Sequence, residues 1–316
     1  MLKISVVTPT VTELLITLFR LENSLYRQLN MTSVPQLSSQ TLDWHKFEEK
    51  EDGRHILVMP EYYSNLFENQ YPNIMVKSNT GWRKTKSGIN MFAFFKGLSV
   101  EDFETIKHFL EDYEKLVVIG INENLTPYFG DELDSCIALD YHFTHGVRSA
   151  IGELEYRAKY KKSWFAIRKL AKLLAIKMYR IPISNTVTAP LLTYIPVYGD
   201  QQFHLAKKLA TKTFNYIKRK NILSESISFI EPSLTEEKPK LKNTKVAEKF
   251  SIWENIIEND GITLLDSVGD RTVIIIDDLY QSGTTIWSFA KFLKARGAKS
   301  VHGIVCVKTR GDTDNL

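Results

Sequence analysis

Cysteine is nearly absent from this chain of 316 residues, which carries only Cys136 and Cys306. A single far-separated pair is a poor disulfide scaffold and cannot build an all-cysteine zinc knuckle, so both read as small buried hydrophobes. No apolar run is long enough to span a bilayer. The opening Met1-Leu2-Lys3-Ile4 lacks the layout of a secretory signal, so a cytoplasmic location without a membrane partner is expected. Internal repeats and low-complexity tracts are missing as well. There is no Walker loop, no Gly-x-Gly-x-x-Gly turn, and no Ser-His-Asp or Cys-His arrangement. Their absence removes the usual sequence signs of P-loop, dinucleotide and covalent nucleophilic chemistry.

What is there is unevenly charged. The net charge is +4, but residues 1–150 carry 14 Lys and Arg against 20 Asp and Glu, and residues 151–316 carry 27 against 17. A basic second half suits an anionic substrate or nucleic acid better than a membrane. Solvated helix faces account for most of its lysines.

The most informative stretch is Arg271-Thr272-Val273-Ile274-Ile275-Ile276-Asp277-Asp278-Leu279-Tyr280-Gln281-Ser282-Gly283-Thr284-Thr285. An aliphatic run long enough for a buried parallel strand ends in two adjacent carboxylates. A turn of small and hydroxyl residues follows, and then a helical pattern begins. Open α/β sheets bind their ligands outside the carboxyl ends of such strands. Ser282 to Thr285 offer consecutive backbone N–H groups and three hydroxyls at a helix N-terminus, where a monophosphate is favoured. Gly283 permits close backbone approach. Asp277 and Asp278 are acceptors suited to vicinal ribose hydroxyls. Together they describe a ribose 5-phosphate seat. The plainer alternative is a strand end, with Ser282 or Thr284 capping the next helix.

Along the rest of the chain, residues 1–40 read as an apolar, helical or mixed opening that runs into a polar linker, Thr32 to Thr41. Ile56 to Met59 reads as a strand ended by Pro60, and Asn73 to Phe95 as two strands around a basic turn, Lys77 to Gly88. Ser99 and Asp102 offer a capping-box-like start to an amphipathic helix through about Leu116, and the strand Val117 to Gly120 follows. In the second half a helix of about Ser163 to Tyr179 is expected to bury Phe165, Leu170, Leu173, Leu174 and Ile176. The strand Leu191 to Val197 is bent off at Pro196, and a helix follows from about Phe203 to Lys218. Pro232 to Lys245 reads as a charged loop, and a helix of about Ala247 to Ile257 leads to the signature strand. After the signature, Ile286, Phe289, Ala290 and Leu293 share one helix face, Gly297 is a C-terminal stop, and Val301 to Val307 is a last buried strand. Alternating strands and helices imply an α/β fold, a parallel sheet covered on both faces. The expected division is an acidic α/β or α+β domain of unknown type, residues 1–146, and a second domain, residues 147–316.

The signature resembles the 5-phosphoribosyl diphosphate (PRPP) motif of type I phosphoribosyltransferases, and the order of parts from about residue 148 resembles their ComF-like branch. Glu155-Tyr156-Arg157-Ala158-Lys159-Tyr160 is similar to a segment that precedes a long helix in that branch, and Tyr194-Ile195-Pro196-Val197 to its Val-Pro-Val-Pro strand end. Gln201-Gln202-Phe203-His204-Leu205-Ala206-Lys207-Lys208-Leu209-Ala210 keeps the Phe, Ala and Leu-Ala frame of the branch but has Gln201-Gln202 where the branch has Arg-Gly. The zinc-binding cysteines many such proteins carry are absent.

The resemblance implies a type I phosphoribosyltransferase fold for the second half and a glycosyltransferase reaction. Phosphoribose would pass from PRPP to a nucleobase-type acceptor with Mg²⁺, and PRPP or a nucleotide monophosphate would be bound. Asp277 and Asp278 would hold the ribose hydroxyls, and Tyr280, Gln281, Ser282, Gly283, Thr284 and Thr285 would surround the 5-phosphate. Tyr198, Gly199, Asp200 and Gln201 would meet the diphosphate, joined by Lys240 and Lys242 from a charged loop. The missing Arg-Gly leaves a catalytically silent binding module as an alternative, and a ComF-like nucleic-acid-handling accessory role as another. A homo-oligomer and nucleic acid are further candidate partners.

Two weaker constellations remain. Asp140, His142 and His145 have metal-like spacing but no accompanying cluster, so ordinary packed or surface histidines are the preferred reading and no metal ligand is assigned. Trp82, among the cations of the Lys77 to Lys86 turn, is a candidate stacking platform for single strands, though a solvated hairpin tip is the commoner arrangement.

Overall fold

The computed structural model describes residues 39–121, 125–178, 189–199, 203–220, 227–237, 239 and 244–310. The chain divides into Met1–Gln36 and one compact unit, Leu37–Leu316, and only the second contains described residues. The expected opening helix and most of the linker lie outside them.

The strands of the first part are β1 Ser39–Thr41, β2 Lys46–Glu49, β3 His55–Pro60, β4 Arg83–Lys84, β5 Asn90–Phe95, β6 Val117–Ile119 and β7 Ser135–Tyr141. Those that follow are β8 Phe143–Thr144, β9 Val147–Arg148, β10 Leu191–Tyr194, β11 Val197–Tyr198, β12 Ser228–Phe229, β13 Pro232–Leu234 and β14 Ile262–Leu264. The last two are β15 Thr272–Tyr280 and β16 Ser300–Lys308.

A seven-stranded sheet, ordered β1-β6-β7-β16-β15-β10-β12, organises the unit. The five strands from β7 to β12 are mutually parallel, and β6 and β1 extend the edge antiparallel. The fold is α/β, a largely parallel sheet with helices on both faces. It also runs through position 146/147, because β7 pairs with β16 from His302↔Ser135 to Lys308↔Tyr141. Strands from both expected domains therefore share one sheet. One apolar cluster joins Leu57, Phe67 and Phe109 to Leu139, Leu170 and Ile304.

Strand alternation in β15 explains how both faces are filled. Ile274 and Ile276 enter the cluster under the helices Ala150–Tyr160, Trp164–Met178 and Leu205–Lys220. Val273 and Ile275 enter the other cluster, with Trp253 of the helix Val246–Glu258 and with Phe289 and Leu293 of the helix Thr284–Ala295. A continuous aliphatic run is what a strand buried on both faces requires.

Several local expectations hold. Ser99 and Asp102 form a reciprocal capping box on the helix Val100–Tyr113. Pro196 separates β10 from β11, which joins a different sheet, and Gly297 ends its helix at φ +86°. Cys136 and Cys306 are free and buried.

Others shift. The helix Trp164–Met178 buries Ala166, Ile167, Leu170, Ala171, Leu174, Ala175 and Met178, while Phe165 and Ile176 are exposed. Leu170 and Leu174 are buried as expected, and the buried face runs through Ile167, Met178 and three alanines rather than through Phe165 and Ile176. Asn73 begins no strand: Pro72–Met75 is one helical turn, and Arg83–Lys84 of the expected basic turn pairs with β5. Thr41, placed in the linker, ends β1, and Pro232–Leu234, placed in the charged loop, pairs with β14.

Candidate functional site

The site begins where β10 stops. Tyr194 pairs with Ile276, and the chain then leaves the sheet, while β15 continues against β16 through Tyr280. Asp277 and Asp278 therefore have a strand neighbour on one side and a cleft at the other. That cleft, of about 280 Å³, is lined by Asp277, Asp278 and Gln281 to Gly283, then by Thr285, Lys159 and Lys249.

The turn is built by its glycine. Gly283 sits at φ +85° and serves as the N-cap of the helix Thr284–Ala295 with no side-chain cap hydrogen bond. Neither Ser282 nor Thr284 is the N-cap, so the plainer sequence alternative is not how this helix starts. Ser282 Oγ lies 3.2 Å from Thr284 Oγ1, and both residues are buried. Thr284 faces inward and does not line the cleft. Tyr280 is almost fully buried, and its hydroxyl accepts a hydrogen bond from Trp287 Nε1 at 3.1 Å. That bond ties the end of β15 to the first turn of the helix and fixes the intervening loop.

Alternation along β15 also sets the surroundings of the two carboxylates. Asp278 has the parity of Ile274 and Ile276, whose face is covered by the helix Ala150–Tyr160. There Lys159 Nζ meets Asp278 Oδ2 at 2.7 Å. Glu155, one turn earlier and 1% exposed, places Oε1 3.7 Å from the same ammonium and Oε2 3.5 Å from His142 Nε2. Asp277 Oδ1 accepts the Asp278 backbone N–H at 2.8 Å.

Electrostatics follow from this geometry. Burial and the adjacent Asp278 charge hold the Asp277 carboxyl well above the usual carboxylate range. Burial pushes Asp278 upward too, but the Lys159 ammonium outweighs it and its carboxyl is shifted down. Burial lowers Lys159, yet Asp278 and Glu155 leave its net shift upward. Burial, then the Asp278 charge, push Glu155 up to about 7. Desolvation, Arg148 and Lys159 lower His142. Neighbouring carboxylates with opposed shifts are the expected result of one fixed cation beside a like-charged pair.

Tyr198 and Gly199 line a second cleft of about 850 Å³ with Tyr194, Lys207, Lys208 and Lys212. His204 lines that cleft too and adds to the lowering of the Asp278 carboxyl. Its Nδ1 accepts the Lys207 backbone N–H at 3.1 Å, a capping role at the start of the helix Leu205–Lys220. Asp200, Gln201, Lys240 and Lys242 lie outside the described residues.

Lys159, Glu155 and Lys249 were missed as site residues. The first two stood inside the family-like segment, but only their helical i, i+4 spacing hinted that they share a face. Among the described residues, no group of three or more His, Cys, Asp or Glu is placed to hold a metal ion. His142 faces Glu155 and His145 is exposed at a turn. Trp82 packs edge-on to Phe67 with centroids 6.3 Å apart, and its Nε1 is buried, so the ring is not presented as a stacking platform. No described helix is long and apolar enough to cross a membrane.

Residues 204–315 match the family model described as phosphoribosyl transferase domain. No curated protein matches the chain. Among solved structures, a hypoxanthine phosphoribosyltransferase from Staphylococcus aureus is 15% identical, covers 45% of this chain and 62% of its own, and has a TM-score of 0.28. A hypoxanthine-guanine phosphoribosyltransferase from Bacillus anthracis is 12% identical over 45% of this chain and 65% of its own, with a TM-score of 0.26. The hypoxanthine phosphoribosyltransferase from Trypanosoma cruzi, in complex with its product IMP, is 11% identical over 46% and 59%, with a TM-score of 0.28. The chain thus spans less than two thirds of the length of each of these three. The part that matches the phosphoribosyl transferase domain carries Asp277, Asp278 and the turn from Gln281 to Thr285.

Proposed function

We propose that the protein is a phosphoribosyltransferase that binds PRPP in the Asp277–Thr285 cleft and transfers phosphoribose to a nucleobase-type acceptor. One observation carries the reading: a carboxylate pair at the end of a parallel strand opens into the same cleft as a glycine-built turn at a helix N-terminus. The strand-end carboxylates accept from the ribose hydroxyls, and the turn with its helix dipole holds the 5-phosphate. Displacement at the anomeric carbon by an acceptor nitrogen, with diphosphate leaving, needs positioning and charge stabilisation rather than a protein nucleophile.

Mg²⁺ bound mainly through substrate oxygens supplies charge neutralisation for the leaving diphosphate. The residues fit such an ion better than a resident one, because the carboxylates at the cleft are a single pair and Asp278 already has Lys159 as its counter-ion. Asp277 and Asp278 are the side chains that would meet its shell.

A second reading is a catalytically silent PRPP- or nucleotide-binding module. It is favoured by Gln201-Gln202 standing where the ComF-like branch has Arg-Gly, since a guanidinium is suited to bidentate phosphate contacts. Both readings require binding. In calorimetry, Asp278→Asn is expected to weaken PRPP affinity at least about tenfold, the loss of a charge-assisted hydrogen bond. Unchanged affinity would sink both. Diphosphate release with a panel of bases then separates transferase from silent module.

A further inference from the structure

Two adjacent carboxylates at a strand end repel each other and repel an incoming phosphate, so a site of this kind needs a compensating cation. Here the chain supplies one from a distant helix. Lys159 Nζ is 2.7 Å from Asp278 Oδ2 and lines the same cleft as the glycine-built turn. The buried Glu155, one turn earlier on the same helix, lies within ion-pair reach of the ammonium at 3.7 Å and of His142 at 3.5 Å. The helix that carries Lys159 is tied to the sheet at its N-terminus. Ser149 Oγ accepts the Gly152 N–H to start the helix and donates to the carbonyl of Tyr141, the last residue of β7. The Lys159 ammonium takes one acceptor position on Asp278, and an ionised carboxylate has several, so hydroxyls can still be bound.

Charge counting at the cleft makes the consequence specific. Lys159 and Lys249 are the cations that line the cleft beside Asp277 and Asp278. Without Lys159, one ammonium is left there to meet a phosphate dianion.

We propose that Lys159 is the positioning residue of this site, a built-in counter-cation that orients Asp278 and lets the ribose 5-phosphate half of the ligand bind without a divalent cation. The proposal rests on the reading of the cleft as a ribose 5-phosphate seat. It confines any metal requirement to the diphosphate half.

The test is calorimetric titration of the full chain with ribose 5-phosphate, in EDTA and again in Mg²⁺. Wild type is expected to bind with affinities within about twofold in the two buffers. Lys159→Met is expected to lose about tenfold in EDTA and to recover part of that loss in Mg²⁺, while Lys159→Arg stays within about threefold of wild type. A role in folding alone would give no metal-dependent rescue. The proposal is overturned if wild type binds only with Mg²⁺, or if Lys159→Met keeps wild-type affinity in EDTA. If Lys159→Met does not fold, the wild-type comparison still decides. No binding by wild type in either buffer overturns the ribose 5-phosphate reading and this inference with it.

Discussion

The Tyr280 hydroxyl stands where the Cβ of any larger residue at position 283 would have to go. Gly283 therefore answers two demands at once, a left-handed φ of +85° and the close approach of Tyr280. The same hydroxyl accepts from Trp287 Nε1, so it cannot move aside without leaving a buried indole N–H unpaired.

Gly283→Ala is accordingly expected to destabilise the protein by at least about 2 kcal/mol, positive-φ strain and overpacking each contributing about 1–3 kcal/mol. Urea unfolding measures it. A change below about 0.5 kcal/mol would mean that the turn relaxes freely and that its geometry is not set by glycine.

Lys249 is 6% exposed and lines the cleft from the helix Val246–Glu258. Lys249→Met keeps most of the stem and deletes the charge. PRPP affinity is expected to fall about tenfold, the size of one hydrogen bond to a charged group at ~1.5 kcal/mol. The melting temperature should stay near that of wild type. Unaltered affinity in titration calorimetry would remove Lys249 from the ligand's surroundings.

His302, on β16, gives a pH dependence unrelated to the site. Burial pushes its imidazole down to about 4, with Asp134 opposing and Lys294 adding to the shift. Ser135 Oγ lies 2.8 Å from Nδ1. Because the folded-state value is depressed below the ordinary 6.5, the unfolded chain takes up the proton first as pH falls. The contribution to stability is complete above about pH 6.5 and is lost between there and about pH 4, at about 1.4 kcal/mol per pH unit. His302→Gln removes that slope. Between pH 7 and pH 5, wild type should lose about 2 kcal/mol more than the variant in urea unfolding. Parallel losses would exclude His302 as the titrating group.

The part of the site most legible in the sequence was the part that is contiguous. Strand, carboxylate pair, glycine turn and helix follow one another from Thr272 to Ala295, and each has a local signature: an aliphatic run, two acids, a small-residue turn and a 3.6-residue period. The capping box at Ser99 and the break at Pro196 were legible for the same reason, since their chemistry acts over a few bonds. The inward-facing Thr284 was not, because a hydroxyl in a turn looks alike whether it faces ligand or core.

Elements that depend on which face is covered were not legible. Periodicity placed Phe165 and Ile176 in the core, but the helix Trp164–Met178 turns the face of Ile167, Leu170, Leu174 and Met178, with its alanines, inward instead. The expected boundary after residue 146 followed from where the family resemblance begins, at about residue 148. Hydrogen bonding between β7 and β16 joins strands from the two sides of that position in one sheet, and the order of motifs along a chain holds no information on strand pairing.

By itself the sequence determined that a strand would end in two acids beside a glycine-built turn, because local backbone chemistry and strand alternation leave few other outcomes for Asp277 to Thr285. Only the tertiary structure decided the charge of that site. Strand parity sends Asp278 toward the helix Ala150–Tyr160, and the packing of that helix against β7 and β16 brings Lys159 within 2.7 Å, with Glu155 buried beside it. Ion pairing of this kind is a contact between residues distant in the chain, set by how elements stack, and no spacing along the sequence encodes it.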